Sequence, residues 1–255
     1  MRFPEATTDV LASRAKIGVI VPSTNTTVAP EYEMLRPHGV THHVGRMLLP
    51  PRPYDNMETY RKALESEEGK LHEALEILLN CEPHVIAHGH SIHSFRGTIE
   101  RAEKDIQELE AFCERPFFTP SMSVVKGLRA LGGAIKRIGV LTPYWPPAGE
   151  MVANFFRSAG FTVANVHNME TTGPTKVSQV PYDTTMKAFE ALDTPQVEAF
   201  VQVGTALPMT AITNAIERKH GKPLVGVNVA TYWAALRALG INDRIRGYGR
   251  LIAEH

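Results

Sequence analysis

Two stretches decide the fold: Lys16-Ile17-Gly18-Val19-Ile20-Val21-Pro22 and Arg137-Ile138-Gly139-Val140-Leu141-Thr142-Pro143. Each is an apolar, β-branched run that ends in a turn beginning at proline. Continuous apolar runs of this kind suit strands of a parallel sheet covered on both faces. Outward from the first, Ser23-Thr24-Asn25-Thr26-Thr27 forms a polar turn and a helical pattern follows through Leu35. Val40 to Leu48 reads as a second strand, and Met57 to Leu79 as a long helical pattern. Val85-Ile86-Ala87 then leads into His88-Gly89-His90-Ser91. Thr98 to Phe112 is helical again, and Pro116 to Thr119 is a short strand. Outward from the second, Ala199-Phe200-Val201-Gln202-Val203-Gly204-Thr205 repeats the pattern of Val85 to Ser91. Leu224-Val225-Gly226-Val227-Asn228 opens a last helix.

Strands alternating with helices give an α/β class with parallel sheets. The internal repeat gives two similar lobes rather than one sheet. The boundary is placed near Pro120, with residues 1–120 as an N-terminal lobe and 121–255 as a C-terminal lobe. The last helix and tail are expected to pack back on the first lobe. Ligands of open α/β sheets bind outside the carboxyl ends of the strands. In a two-lobed version those ends face each other across a cleft.

Composition narrows the function classes. Apolar residues are 43% and charged residues 21%, the proportions of a folded globular chain. Lys plus Arg and Asp plus Glu are both 27, so the formal charge is zero and no basic excess supports nucleic-acid binding. No apolar run approaches the roughly 18 residues that span a bilayer. The N-terminus lacks a signal-peptide core. Two cysteines, Cys81 and Cys113, make no disulfide framework. The expectation is a cytoplasmic protein with a small-molecule substrate, no membrane or nucleic-acid partner, and room for a homo-oligomer.

Four polar groups sit at the expected strand ends. Ser23 to Thr27 offers hydroxyls, an amide and a helix N-terminus that favours anions. The same residues are also the preferred helix caps. Gly89-His90-Ser91 combines a close backbone approach with a side chain that titrates near neutral pH. His88, His90 and His93 raise the question of zinc, but no C-x-x-C or H-E-x-x-H spacing accompanies them. His88 reads as a core histidine bonded to backbone, and His90, at the turn, as the functional one. Gly204-Thr205 is the second-lobe counterpart. Pro143-Tyr144-Trp145 brings a phenol that can donate to an oxyanion, or simply a rigid aromatic turn.

Gly18 to Thr26, Gly89 to Gly97, Gly127 to Gly132 and Gly247 to Leu251 together resemble the arylmalonate decarboxylase and maleate cis–trans isomerase branch of the aspartate/glutamate racemase superfamily. The resemblance runs from about Lys16 to the C-terminus. It implies two flavodoxin-like lobes related by pseudo-two-fold symmetry, no metal and no organic cofactor. It further implies a small carboxylate whose carbanion or enediolate is stabilised by hydroxyl and backbone donors. Asn25, Ser91 and Tyr144 match binding or oxyanion positions. The family's cysteine positions fall on Gly89 and Val203, neither of which can ionise, and His90 stands where threonine is common.

The resulting expectation is a cofactor-independent decarboxylase or isomerase of a small carboxylic or dicarboxylic acid. His90, Ser91 and Tyr144 would be catalytic. Pro22, Ser23, Asn25, Gly89, Val203, Gly204 and Thr205 would bind substrate. The alternatives are a hydrolase with a His90-activated water and a carboxylate-binding protein without chemistry.

Overall fold

The computed structural model describes residues 8–49, 58–59, 62 and 69–255. Eight strands form two four-stranded sheets. In the first, β1 (Ala15–Pro22) pairs in parallel with β2 (Val40–Met47) and β3 (Val85–His88), and β3 pairs with β4 (Phe117–Phe118), giving the order β2-β1-β3-β4. In the second, β5 (Arg137–Thr142) lies between β6 (Thr162–Asn168) and β7 (Ala199–Gln202). β8 (Leu224–Gly226) completes the order β6-β5-β7-β8. Both sheets thus have the 2-1-3-4 order of the flavodoxin-like doubly wound fold. The ten α-helices among the described residues are α1 (Val28–Met34), α2 (Lys70–Leu79), α3 (Ile99–Cys113), α4 (Pro120–Leu131), α5 (Pro146–Ser158), α6 (Pro174–Val177), α7 (Tyr182–Leu192), α8 (Thr210–His220), α9 (Val227–Ala238) and α10 (Arg250–Glu254).

The repeat in sequence is a repeat in packing. A Cβ at Gly18 would come within 2.8 Å of Leu78 on α2, and one at Gly139 within 3.0 Å of Leu192 on α7. Each central strand therefore keeps glycine where a helix lies closest. The expected helix Met57 to Leu79 is described only in its last part, α2; most of the remainder lies outside the described residues. β6 carried no clear sequence signal. It is an edge strand with no fully buried residue, so it lacks the apolar run that marks β1 and β5.

One hydrophobic core spans both sheets. It joins Val19 and Val85 of the first to Val140, Val201 and Val225 of the second, through Ala230, Tyr232 and Leu236 of α9. Residues 227–236 of α9 are all buried, the mark of a helix enclosed on every side. It packs on α4, β3 and α1. Among the described residues, no helix is long and apolar enough to cross a membrane.

Candidate functional site

The carboxyl ends of β1, β3, β5 and β7 meet between the lobes. The turn after β1 is set by Asn25, whose Oδ1 accepts hydrogen bonds from the amides of Thr27 and Val28, both at 2.9 Å. That satisfies two donors at the start of α1 and fixes the side chain with Nδ2 toward the second lobe, 3.4 Å from Thr205 Oγ1. The cap and the binding reading of this turn therefore coincide in one residue. Thr27 Oγ1 donates to Ala206 O at 2.8 Å, a second tie across the lobes.

The turn after β3 presents Ser91, which is 1% exposed. Its Oγ lies 2.6 Å from Tyr144 Oη and accepts the Thr205 amide at 3.2 Å. Thr205 Oγ1 donates to Gly89 O at 2.9 Å. Gly204 takes φ +104°, and a side chain there would strike Pro143, so glycine is required where the two second-lobe turns touch. Gln202 Nε2 donates to Val203 O and Gly204 O at 2.9 and 2.8 Å and braces the same turn. A Cβ at Gly89 would lie 2.6 Å from Val21 Cγ1 and 3.0 Å from Val28 Cγ1, so this position is packed shut toward α1.

The sequence-predicted residues divide accordingly. Asn25, Gly89, Ser91, Tyr144, Gly204 and Thr205 come together. Val203 is fully buried at the end of β7, its amide bonded to Leu141 O at 2.8 Å. Pro22 ends β1 and its carbonyl accepts the Asn25 amide at 2.9 Å, while Ser23 pairs with Leu49, just beyond β2, through Oγ, at 2.8 and 3.0 Å. His90 is half-buried, its ring 6.0 Å from that of His88 and 5.1 Å from that of His93. His88 is a core histidine whose Nε2 meets no partner. Burial pushes His88 down to about 3 and His93 to about 4, so both are neutral at pH 7. His72, His88 and His93 border a cavity of about 570 Å³ with Arg96 and Arg101. Among the described residues, no group of three or more His, Cys, Asp or Glu side chains is arranged to hold a metal ion.

Both thiols lie elsewhere. Cys81 follows α2, ahead of β3, with Sγ directed to Leu78 O; Cys113 ends α3, with Sγ directed to Arg115 O. Burial raises both above the usual thiol range. Sequence reasoning missed two polar residues behind the turns. Asn228 donates to Thr205 O at 2.9 Å and to Glu31 Oε2 at 2.7 Å. Its signal was its place in the first turn of the helix that follows β8. Glu31, on a helix with no motif, had none.

Two facing parallel lobes thus gather hydroxyl and amide groups between their strand ends. The family described as arylmalonate decarboxylase matches residues 17–252, and the chain belongs to that family. It is similar to a maleate isomerase of Pseudomonas putida, 28% identical over 93% of this chain and 97% of the relative. It is 31% identical to an arylmalonate decarboxylase of Bordetella bronchiseptica over 65% of this chain and 69% of the relative. Among solved structures, a mutant Nocardia farcinica maleate cis–trans isomerase with a covalently bound succinylcysteine intermediate shares the fold. Its TM-score is 0.81 at 24% identity, covering 94% of this chain and 99% of that one.

Proposed function

We propose that the chain is a cofactor-independent enzyme that decarboxylates or isomerises a small carboxylic or dicarboxylic acid between its lobes. The observation that carries the reading is the part-buried Ser91 Oγ–Tyr144 Oη pair, which joins the two lobes at the strand ends. Within the pair one O–H proton is spent on the partner oxygen. A carboxylate oxygen set against both would draw both protons, with Asn25 Nδ2 on the adjoining turn. Such donors are strongest where negative charge develops in a desolvated site. Loss of CO2 leaves an electron pair on the α-carbon, delocalised into the remaining carboxylate as an enediolate, and that dianion is what the donors would hold. Ile92, Ala148, Tyr144 and Met151 form an apolar patch beside them, suited to the non-polar part of a substrate.

Of the two chemistries, decarboxylation fits this chain better. It asks for donors and a proton source. Cis–trans isomerisation through a covalent adduct, as in the Nocardia isomerase, asks for a thiol, and Cys81 and Cys113 lie away from the strand ends. His90, beside Gly89, supplies the proton in this reading, since general acid–base catalysis by a histidine contributes typically 10²–10⁴-fold. The test is to incubate the purified protein with phenylmalonate and with maleate, with and without a chelator. Release of CO2 or formation of fumarate that persists under chelation supports the reading. Tight binding without turnover leaves a carboxylate-binding protein, and neither binding nor turnover overturns the reading.

A further inference from the structure

Glu31 is a buried carboxylate that the proposed chemistry leaves unused. It belongs to α1 in the first lobe, is 4% exposed, and finds its partners in the second. Oε1 accepts from the Met209 and Thr210 amides at 2.6 and 2.8 Å, at the start of α8, where unpaired amides favour negative charge. Oε2 accepts from Asn228 Nδ2 at 2.7 Å. The other proton of that amide goes to Thr205 O at 2.9 Å, and Asn228 Oδ1 has no partner. Only these two bonds therefore fix the orientation of the Asn228 amide. Thr205 in turn gives its N–H to Ser91 Oγ and its hydroxyl to Gly89 O. An unbroken path runs from Glu31 through Asn228 and Thr205 to Ser91.

We propose that Glu31 is a positioning residue: by orienting Asn228 it holds Thr205 where its amide meets Ser91, and so sets the donor pair of the interlobe site. Its catalytic consequence rests on the function proposed above; its structural consequence does not. A neutral amide at position 31 has one acceptor where three donors now converge, and its NH2 would face the Asn228 NH2. If Asn228 turned over to meet it, its oxygen would confront Thr205 O, acceptor against acceptor. Either way the change reaches Thr205, which Glu31 does not touch through a bond of its own.

The experiment compares Glu31→Gln, Asn228→Ala and the double variant, with Glu33→Gln on the solvent side of the same helix as control. Amide hydrogen exchange is read over residues 203–207 and 89–92, alongside kcat and KM for phenylmalonate and maleate. Both single variants are expected to speed exchange at Thr205 at least tenfold and to lower kcat at least tenfold, with KM changing less. The double variant should be no worse than the worse single, because both act through one path. Glu33→Gln should match the wild type. Unchanged exchange at Thr205 in the single variants, or losses that multiply in the double, overturns the proposal. Should Glu31→Gln not fold, Asn228→Ala decides, since it leaves Glu31 bonded to α8. A wild type that neither binds nor converts either acid overturns the functional reading, while exchange still decides the positioning role.

Discussion

Ser91 Oγ and Tyr144 Oη lie 2.6 Å apart, one on the turn after β3 and the other on the turn after β5, so this hydrogen bond joins strand ends of the two lobes, alongside those that Asn25 and Thr27 make. Tyr144 is held by its own backbone, whose amide donates to Thr142 Oγ1 at 2.8 Å, and Ser91 by the Thr205 amide. The two oxygens are thus anchored on both sides, so that only a hydroxyl proton need turn for both to donate to one acceptor.

Removing either hydroxyl should therefore cost turnover more than folding. Tyr144→Phe and Ser91→Ala are each expected to lower kcat by about 10²–10³, the usual loss of one oxyanion donor. Ser91→Ala also strands the buried Thr205 amide and should cost about 1–3 kcal/mol of stability. Steady-state kinetics and denaturant melts check both; full activity in a folded Tyr144→Phe variant removes the phenol from the mechanism.

Asn25 separates two roles that one substitution can test. Asn25→Asp keeps the acceptor that serves the Thr27 and Val28 amides but replaces the Nδ2 donor near Thr205. Asn25→Ala removes both. Carboxylate affinity should fall by about 1–3 kcal/mol in either variant. Only Asn25→Ala should also lose about 0.5–2 kcal/mol of stability with the helix start uncapped. Calorimetric titration with maleate and thermal melts give the comparison, and equal affinity for all three proteins would exclude Asn25 from the anion site.

The fold was legible in sequence because its decisive strands are buried on both faces. Lys16–Pro22 and Arg137–Pro143 announce themselves as apolar runs, and their shared glycine marks the helix that packs on each. β6, exposed at an edge, offered no such run. In the site, Asn25, Ser91, Tyr144 and Thr205 were legible because strand ends and turn chemistry are local. Glu31 acts through contacts with Met209, Thr210 and Asn228, 178, 179 and 197 positions away in sequence. No local pattern encodes such a pairing. Ser23 had the right residue type, but its hydroxyl is spent on Leu49.

Stability should fall as the solution is acidified below pH 6.5. His88 and His93 are held neutral by burial, at about 3 and about 4, against about 6.5 in an unfolded chain. Between the folded and unfolded values the unfolded state binds more protons, so their contribution is complete above pH 6.5 and is lost as pH falls toward 4. Each group contributes up to about 1.4 kcal/mol per pH unit in that window. Glu31, raised by burial, acts in the opposite sense, because its folded form takes up a proton more readily. Burial also lowers His42 and raises Glu217, so three lowered histidines stand against two raised carboxylates and the net slope should remain positive. Denaturant unfolding at pH 7.5, 6.0 and 5.0 measures this, and stability that is flat or rises toward pH 5 contradicts it.

Proton transfer is expected to rest on His90 rather than on either cysteine. Position 89 has no room for a side chain, since Val21 and Val28 occupy the space, and Val203 at the facing strand end cannot ionise. Cys81 and Cys113 direct their thiols to carbonyls at helix ends and are pushed above the usual thiol range. His88 and His93 are pushed far below neutrality by burial, which makes them poor proton carriers at pH 7. His90 is half-buried and adjoins both Gly89 and Ser91 in the chain. His90→Ala should lower turnover by about 10² or more while ligand binding and folding are largely kept. Cys81→Ala and Cys113→Ala should leave turnover within about twofold, against the 10²-fold scale of a lost acid–base group. The ring of His90 also packs near His88 and His93, so a purely structural role predicts a different pattern: a lower melting point with unchanged kcat. Measuring both quantities on His90→Ala and His90→Gln separates the two, and full turnover in either folded variant ends the assignment.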